Sequence, residues 1–188
     1  MNIRSTLALA AALAAGGALA QHAGHHGHGA AASPYAGLQQ RDIKALSPEE
    51  TQGLLEGQGM RLALAAELNG YPGPLHVLEH AEALALSPRQ RQDTQALLHA
   101  HKAEARAMGA ELVEAERALD RAFALRTVDE PALARLTARL GELQARLRAA
   151  HLRTHLQQTA LLTPQQVARY QQLRGYTTAG APATGAQR

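Results

Sequence analysis

Residues 131–161 read PALARLTARLGELQARLRAAHLRTHLQQTAL, and within them Leu133, Leu136, Leu140, Leu143 and Leu147 recur at alternating spacings of three and four. That alternation is a heptad seam, the pattern by which one helix offers an apolar stripe to another. The partner lies just upstream. From Pro88 to Arg126 the chain has no other proline and a single glycine, which predicts a helix of about 39 residues, roughly 58 Å long at 1.5 Å per residue. The break at 127–131 is short enough to force the two helices antiparallel. Folding the chain about residues 128–130 sets Leu98, His101, Ala105, Met108, Leu112, Ala115, Leu119 and Ala122 against the leucine seam.

Outward from this hairpin, one device marks three helix starts: Leu46-Ser47-Pro48-Glu49-Glu50, Leu86-Ser87-Pro88-Arg89-Gln90 and Leu162-Thr163-Pro164-Gln165-Gln166. Each places a hydroxyl at the N-cap, proline at the first helical position and Glu or Gln three residues after the cap, the elements of a capping box. In the last copy Leu162 and Val167 are also placed to form a hydrophobic staple. The first copy predicts a helix from Pro48 to about Leu68, weakened by Gly53, Gly57 and Gly59 and ended by Asn69-Gly70. A short helix over about 75–86 follows the rigid Tyr71-Pro72-Gly73-Pro74 turn, and a last one runs from Pro164 to Arg174.

The composition agrees with an all-α fold. Apolar residues make up 46% of the 188 and aromatics only 3%, so the apolar mass is mostly Ala and Leu, which favour helix, and strand formers are scarce. A net charge of +3 with no Trp and one Phe lacks both the cationic field and the stacking platforms of a nucleic-acid binder. A hairpin with short flanking helices leaves apolar surface uncovered, which predicts a homodimer.

Residues 1–20 carry Arg4, a Leu/Ala run and Ala18-Leu19-Ala20, the layout of a cleavable secretory signal with cleavage after Ala20. The run is shorter than the roughly 20 residues a bilayer requires, and no later stretch suffices to span. With no cysteine, neither a lipid anchor nor a disulfide is available, and the expected location is the periplasm. The organisation is therefore a signal at 1–20, a His-rich leader and linker at 21–45, a helical domain at 46–176 and a polar tail at 177–188.

Histidine carries the chemistry. His22, His25, His26 and His28 stand among Gly and Ala just after the cleavage point. A chain of that kind can wrap Zn²⁺, Cu²⁺ or Ni²⁺ without a preformed cage, the competing reading being a solvated tail. Within the helical domain, His76/His80 and His151/His155 have the i, i+4 spacing that lets one helix supply two ligands. The antiparallel register about residues 128–130 puts His151 near Met108 and His155 near Glu104, so that His101, Glu104, Met108, His151 and His155 converge. Polar-face histidines bonded to their neighbours are the alternative for each set. His76-Val77-Leu78-Glu79-His80 also fits the H-x-x-E-H pattern of certain zinc peptidases, but a short all-helical chain offers no sheet or substrate chamber, and the reading is of a protein without catalytic activity.

The second and third cap motifs, through Leu86, Ser87 and Gln90 and through Leu162, Thr163 and Gln166, resemble the Leu-Thr-x-x-Gln mark of the Spy/CpxP/zinc-resistance-associated-protein family. The likeness covers about residues 46–176. Ser87 replaces the usual Thr, Glu50 departs from the Gln, and the second long helix is unusually rich in Arg. The resemblance implies periplasmic cradle-shaped dimers, some holding unfolded clients and some binding Zn, Ni, Co or Cu. It leads to a metal-binding stress or resistance protein that senses or buffers transition metals. Its partners would be a second copy, unfolded periplasmic proteins or a membrane-bound sensor; a metal-independent chaperone is the alternative.

Overall fold

The computed structural model describes residues 33–177. Contacts divide the chain into two units, residues 1–36 and 37–188. Of the first, Ser33–Ala36 forms a turn in which the Ala36 N–H donates to the Ser33 carbonyl (2.8 Å). The signal, the leader histidines His22, His25, His26 and His28, and the tail from residue 178 lie outside the described residues.

Among the described residues the second unit contains helices and no strand. A 3-10 turn at Leu38–Gln40 precedes α1 (Pro48–Leu55), α2 (Leu64–Glu67), α3 (Pro74–Glu79), α4 (Pro88–Ala124), α5 (Glu130–Ala160) and α6 (Pro164–Leu173). The helix expected over 48–68 is two pieces. Gly57, left-handed at φ +64, closes α1: its N–H donates to the Leu54 carbonyl and the Gln58 N–H to that of Gly53, a Schellman end that a left-handed residue makes favourable. Met60 and Arg61, also left-handed at φ 42 and 65, keep the chain out of helix until Leu64. The helix expected to reach residue 86 stops at Glu79, and the turns that follow place Ala85 at φ 48.

All three capping boxes form. Ser47, Ser87 and Thr163 accept from the N–H of Glu50, Gln90 and Gln166, whose side chains accept in return from the cap N–H. The two glutamines do more. Gln90 Nε2 donates to the Leu161 carbonyl (2.9 Å) and to Gln166 Oε1 (2.8 Å), while Gln166 Nε2 donates to the Leu84 carbonyl (3.2 Å) and to Gln90 Oε1 (3.1 Å). This reciprocal amide pair ties the start of α4 to the start of α6. Glu50 completes the same box, but a carboxylate has no N–H to donate and could not replace either glutamine in the pair.

Two apolar clusters hold the unit. Ile43, Leu54, Ala105, Leu112, Val113, Leu140, Leu143 and Leu147 form the larger, between α1 and the hairpin. A Cβ on Gly109 would run into the Leu54 carbonyl, so the lone glycine of α4 is where α1 crosses backbone to backbone. Val77, Ala81, Leu84, Leu86 and Tyr170 form the smaller, beneath α6, with Leu162 packed on its edge.

Candidate functional site

Between the two clusters the hairpin seam changes character. Towards the turn it is leucine; towards the base it is Thr94 and His101 on α4 against His151, Thr154 and Gln158 on α5, all buried. Gln158 Nε2 donates to Thr94 Oγ1 (3.2 Å), and His101 Nε2 meets His151 Nδ1 at 2.9 Å with the rings edge to face. These pairings set the register. His151 faces His101, one heptad from the Met108 expected by folding about residues 128–130, because α4 ends at Ala124 with Arg126 left-handed at φ 55 and the chain reverses earlier. Met108 instead packs against the larger apolar cluster, and Glu104 is exposed, 3.6 Å from Arg153. The expected five-residue convergence reduces to His101 and His151, with His155 one turn along α5.

A cavity of about 380 Å³ opens beside this polar seam, with His76, His101, His151, His155, Glu67 and Met60 in its wall. The strained turn at Met60–Arg61 forms part of its rim. His76 and His80 separate: His76 lines the cavity, whereas His80 lies edge-on to Tyr170, with ring centroids 6.4 Å apart. The cause is local, since α3 ends at Glu79 and leaves His80 outside the helix that would have aligned the two rings.

The histidine tautomers follow from their partners. His155 Nδ1 is 2.7 Å from the Tyr71 carbonyl, which can only accept, so the neutral ring keeps its lone pair on Nε2. His76 Nδ1 is 2.7 Å from Glu79 Oε2, and the same reasoning leaves its Nε2 free. The His101–His151 bond leaves His101 Nδ1 and His151 Nε2 buried and unpartnered; whichever ring donates, one outer nitrogen is an N–H and the other a lone pair. Burial holds both rings below the ordinary imidazole range, and His151, beside the charges of His101 and His155, falls to about 4. Both are neutral at neutral pH, the form in which imidazole ligates.

Glu67, which nothing in the sequence singled out, is the buried carboxylate of this wall, 8% exposed. Its Oε1 accepts from Tyr170 OH (2.6 Å) and Tyr176 OH (3.0 Å) and lies 3.3 Å from Arg174 Nε. Burial and the Glu67 hydrogen bond push the Tyr170 hydroxyl well above its usual range, so it stays a donor. The other oxygen, Oε2, has no hydrogen-bond partner and stands 3.8 Å from His155 Nδ1. A ring N–H held by an oxygen while the far nitrogen stays open is the outer-shell arrangement of metal-ligating histidines. Among the described residues, however, no three His, Asp or Glu side chains stand close enough to share one ion.

The model of a family described as heavy-metal resistance matches residues 62–169, more than half of the chain and a span that includes Glu67 and the five helical-domain histidines His76, His80, His101, His151 and His155. The chain belongs to the heavy-metal-resistance family. This family is part of the Spy/CpxP-like helical group that the cap motifs resemble. No curated protein and no solved structure matches the chain. Among the described residues of this heavy-metal-resistance protein, no helix is long and apolar enough to cross a membrane.

Proposed function

We propose that this heavy-metal-resistance protein works in the periplasm by taking up a divalent transition metal, Zn²⁺, Cu²⁺ or Ni²⁺, in the histidine-lined cavity, and so senses or buffers the ion. The observation that carries the reading is the tautomer set: His76 and His155 each spend Nδ1 on an oxygen and present Nε2, in the same cavity wall as the unpartnered Glu67 Oε2. Imidazole nitrogen with one carboxylate suits these three metals better than Mg²⁺ or Ca²⁺, which prefer all-oxygen shells. The donors line one wall without converging, so uptake draws them together, and a site that must close is weaker and more reversible than a preformed cage. The leader histidines His22, His25, His26 and His28 serve as a separate capture arm, and the protein acts as a homodimer.

The test is zinc affinity by competition with a coloured chelator, in a full chain whose four leader histidines are changed to alanine. Adding His155→Ala or His76→Ala is expected to weaken binding about tenfold or more, the usual scale for losing one protein ligand or its orienting partner. Equal affinity in all three proteins would move the metal chemistry out of the cavity.

A second reading, client holding without metal, is favoured by the exposure of Leu55, Leu64, Leu68, Tyr71 and Leu75 along one segment, since contiguous exposed apolar side chains mark interaction surfaces. Suppression of aggregation of an unfolded substrate that is insensitive to a chelator would support it.

A further inference from the structure

Glu67 belongs to two places at once. Its Oε2 is buried and unpartnered, 3.8 Å from His155 Nδ1 in the cavity wall, while Oε1 gathers three groups from the end of α6: Tyr170, Arg174 and Tyr176. Tyr170 is anchored in the smaller apolar cluster, but Arg174 and Tyr176 are the last side chains before the tail. Their geometry is built, not incidental. Gly175 at φ +71 turns the chain back, with its N–H donating to the Gln172 carbonyl and the Tyr176 N–H to that of Gln171, a Schellman end that aims Tyr176 at α2. Arg174 then stacks over the Tyr176 ring, 5.6 Å from its centroid, and donates through Nη2 to its hydroxyl (3.2 Å). The carboxylate of Glu67 joins this clasp to the cavity wall.

From this arrangement we propose that Glu67 couples the cavity to the C-terminal end: a divalent cation bound at the Oε2 side loosens the Arg174–Tyr176 clasp, so that metal occupancy is reported by release of the segment that leads into the tail. The inference rests on the metal reading above and adds its regulation. The cause is electrostatic. A single carboxylate of charge −1 is neutralised by Arg174 across a short gap in a site largely shielded from water, where interactions between charges are strong. A cation of charge +2 on the same carboxylate removes the attraction that holds Arg174 and replaces it with repulsion. Tyr176 loses part of its acceptor as the carboxylate's electron density turns to the metal. Coupling of this kind is reciprocal, so removing the Arg174 side of the clasp, with Glu67 intact, strengthens metal binding by the same factor.

Arg174 itself supplies the reporter, because trypsin cuts after arginine and needs the chain around the cut extended, whereas the Gly175 turn and the clasp hold it bent. The measurement is the rate of that cut in the full chain with leader histidines changed to alanine, with and without saturating Zn²⁺, alongside chelator competition on the same samples. Zinc is expected to raise the rate about fivefold or more, within the ordinary range of coupling between sites. Glu67→Gln, which keeps an acceptor for both tyrosines but has no charge, is expected to cut fast with or without zinc. Arg174→Gln should bind zinc more tightly by a similar factor. Zinc that binds yet leaves the cut unaccelerated overturns the coupling while leaving the metal reading intact. An unchanged basal rate in Glu67→Gln overturns the clasp, and failure to bind zinc at all overturns both.

Discussion

At the scale of single residues, the His155 ring is set by its neighbours on both sides. Its Nδ1 is fixed on the Tyr71 carbonyl, and a Cβ on Gly73 would come within 2.9 Å of Cε1 and 3.1 Å of Nε2. Gly73 has φ −90, which alanine adopts freely, so Gly73→Ala tests the contact and not the backbone. Zinc affinity is expected to fall about tenfold with little change in melting temperature, since the ring must turn and takes its ligating nitrogen with it. Unchanged affinity would mean that His155 is not a ligand. The buried pair makes a second prediction, on pH. His151 titrates near 4 in the folded chain and near 6.5 when unfolded, so between those values the unfolded chain binds more protons. Stability is therefore highest above about pH 6.5 and is lost as pH falls towards 4, by roughly 2–3 kcal/mol from this group. Denaturant titrations at pH 7 and pH 5 should show the loss, and a folded His151→Gln variant should lose most of the slope. The histidines were legible in the sequence as metal-type residues at helical spacing. Glu67 was not: it stands in Leu-Ala-Ala-Glu-Leu, an unremarkable helical stretch, and its partner Tyr170 lies 103 residues away.

At the scale of elements, the cap motifs carry both local and long-range information. Gln166→Glu should preserve the capping box, as Glu50 does in the first copy, while deleting the donations to Leu84 and Gln90 and setting an acceptor against an acceptor. A loss of about 2–4 kcal/mol is expected, from two hydrogen bonds in a part-buried position, read as a lower melting temperature. A negligible change would reduce the amide pair to decoration on the caps. The three helix starts could be read because a capping box is written within five residues. The hairpin, too, was legible as a seam, yet its register was not. A slide of one heptad returns leucine to leucine positions, so periodicity cannot distinguish His151 opposite Met108 from His151 opposite His101. What selects the observed register is the early end of α4 at a left-handed Arg126 and the polar matches Thr94–Gln158 and His101–His151, which sit at seam positions that apolar patterning alone passes over. The split of the first helix into α1 and α2 has a similar origin: three glycines weaken it, but only the Schellman bonds at Gly57 show that it stops there.

At the scale of the molecule, the two apolar clusters flank a buried polar seam and leave the cavity between α2, α3 and the hairpin. The larger cluster packs α4 against α5, and the smaller anchors α3 to α6 through Val77 and Tyr170; on the proposed reading it is α2, a single turn of four residues, that shifts when donors close on an ion. The all-helical class followed from Ala and Leu content and the caps, whereas the cavity followed from nothing local, because its wall draws on four stretches spread over residues 57–155. The account stands or falls on where the metal goes. Diffraction from crystals of the zinc-loaded full chain, collected on both sides of the zinc absorption edge, is expected to show an anomalous peak in this cavity about 2.0–2.1 Å from His155 Nε2. A peak at the leader histidines alone, with the cavity empty at saturating zinc, would contradict it.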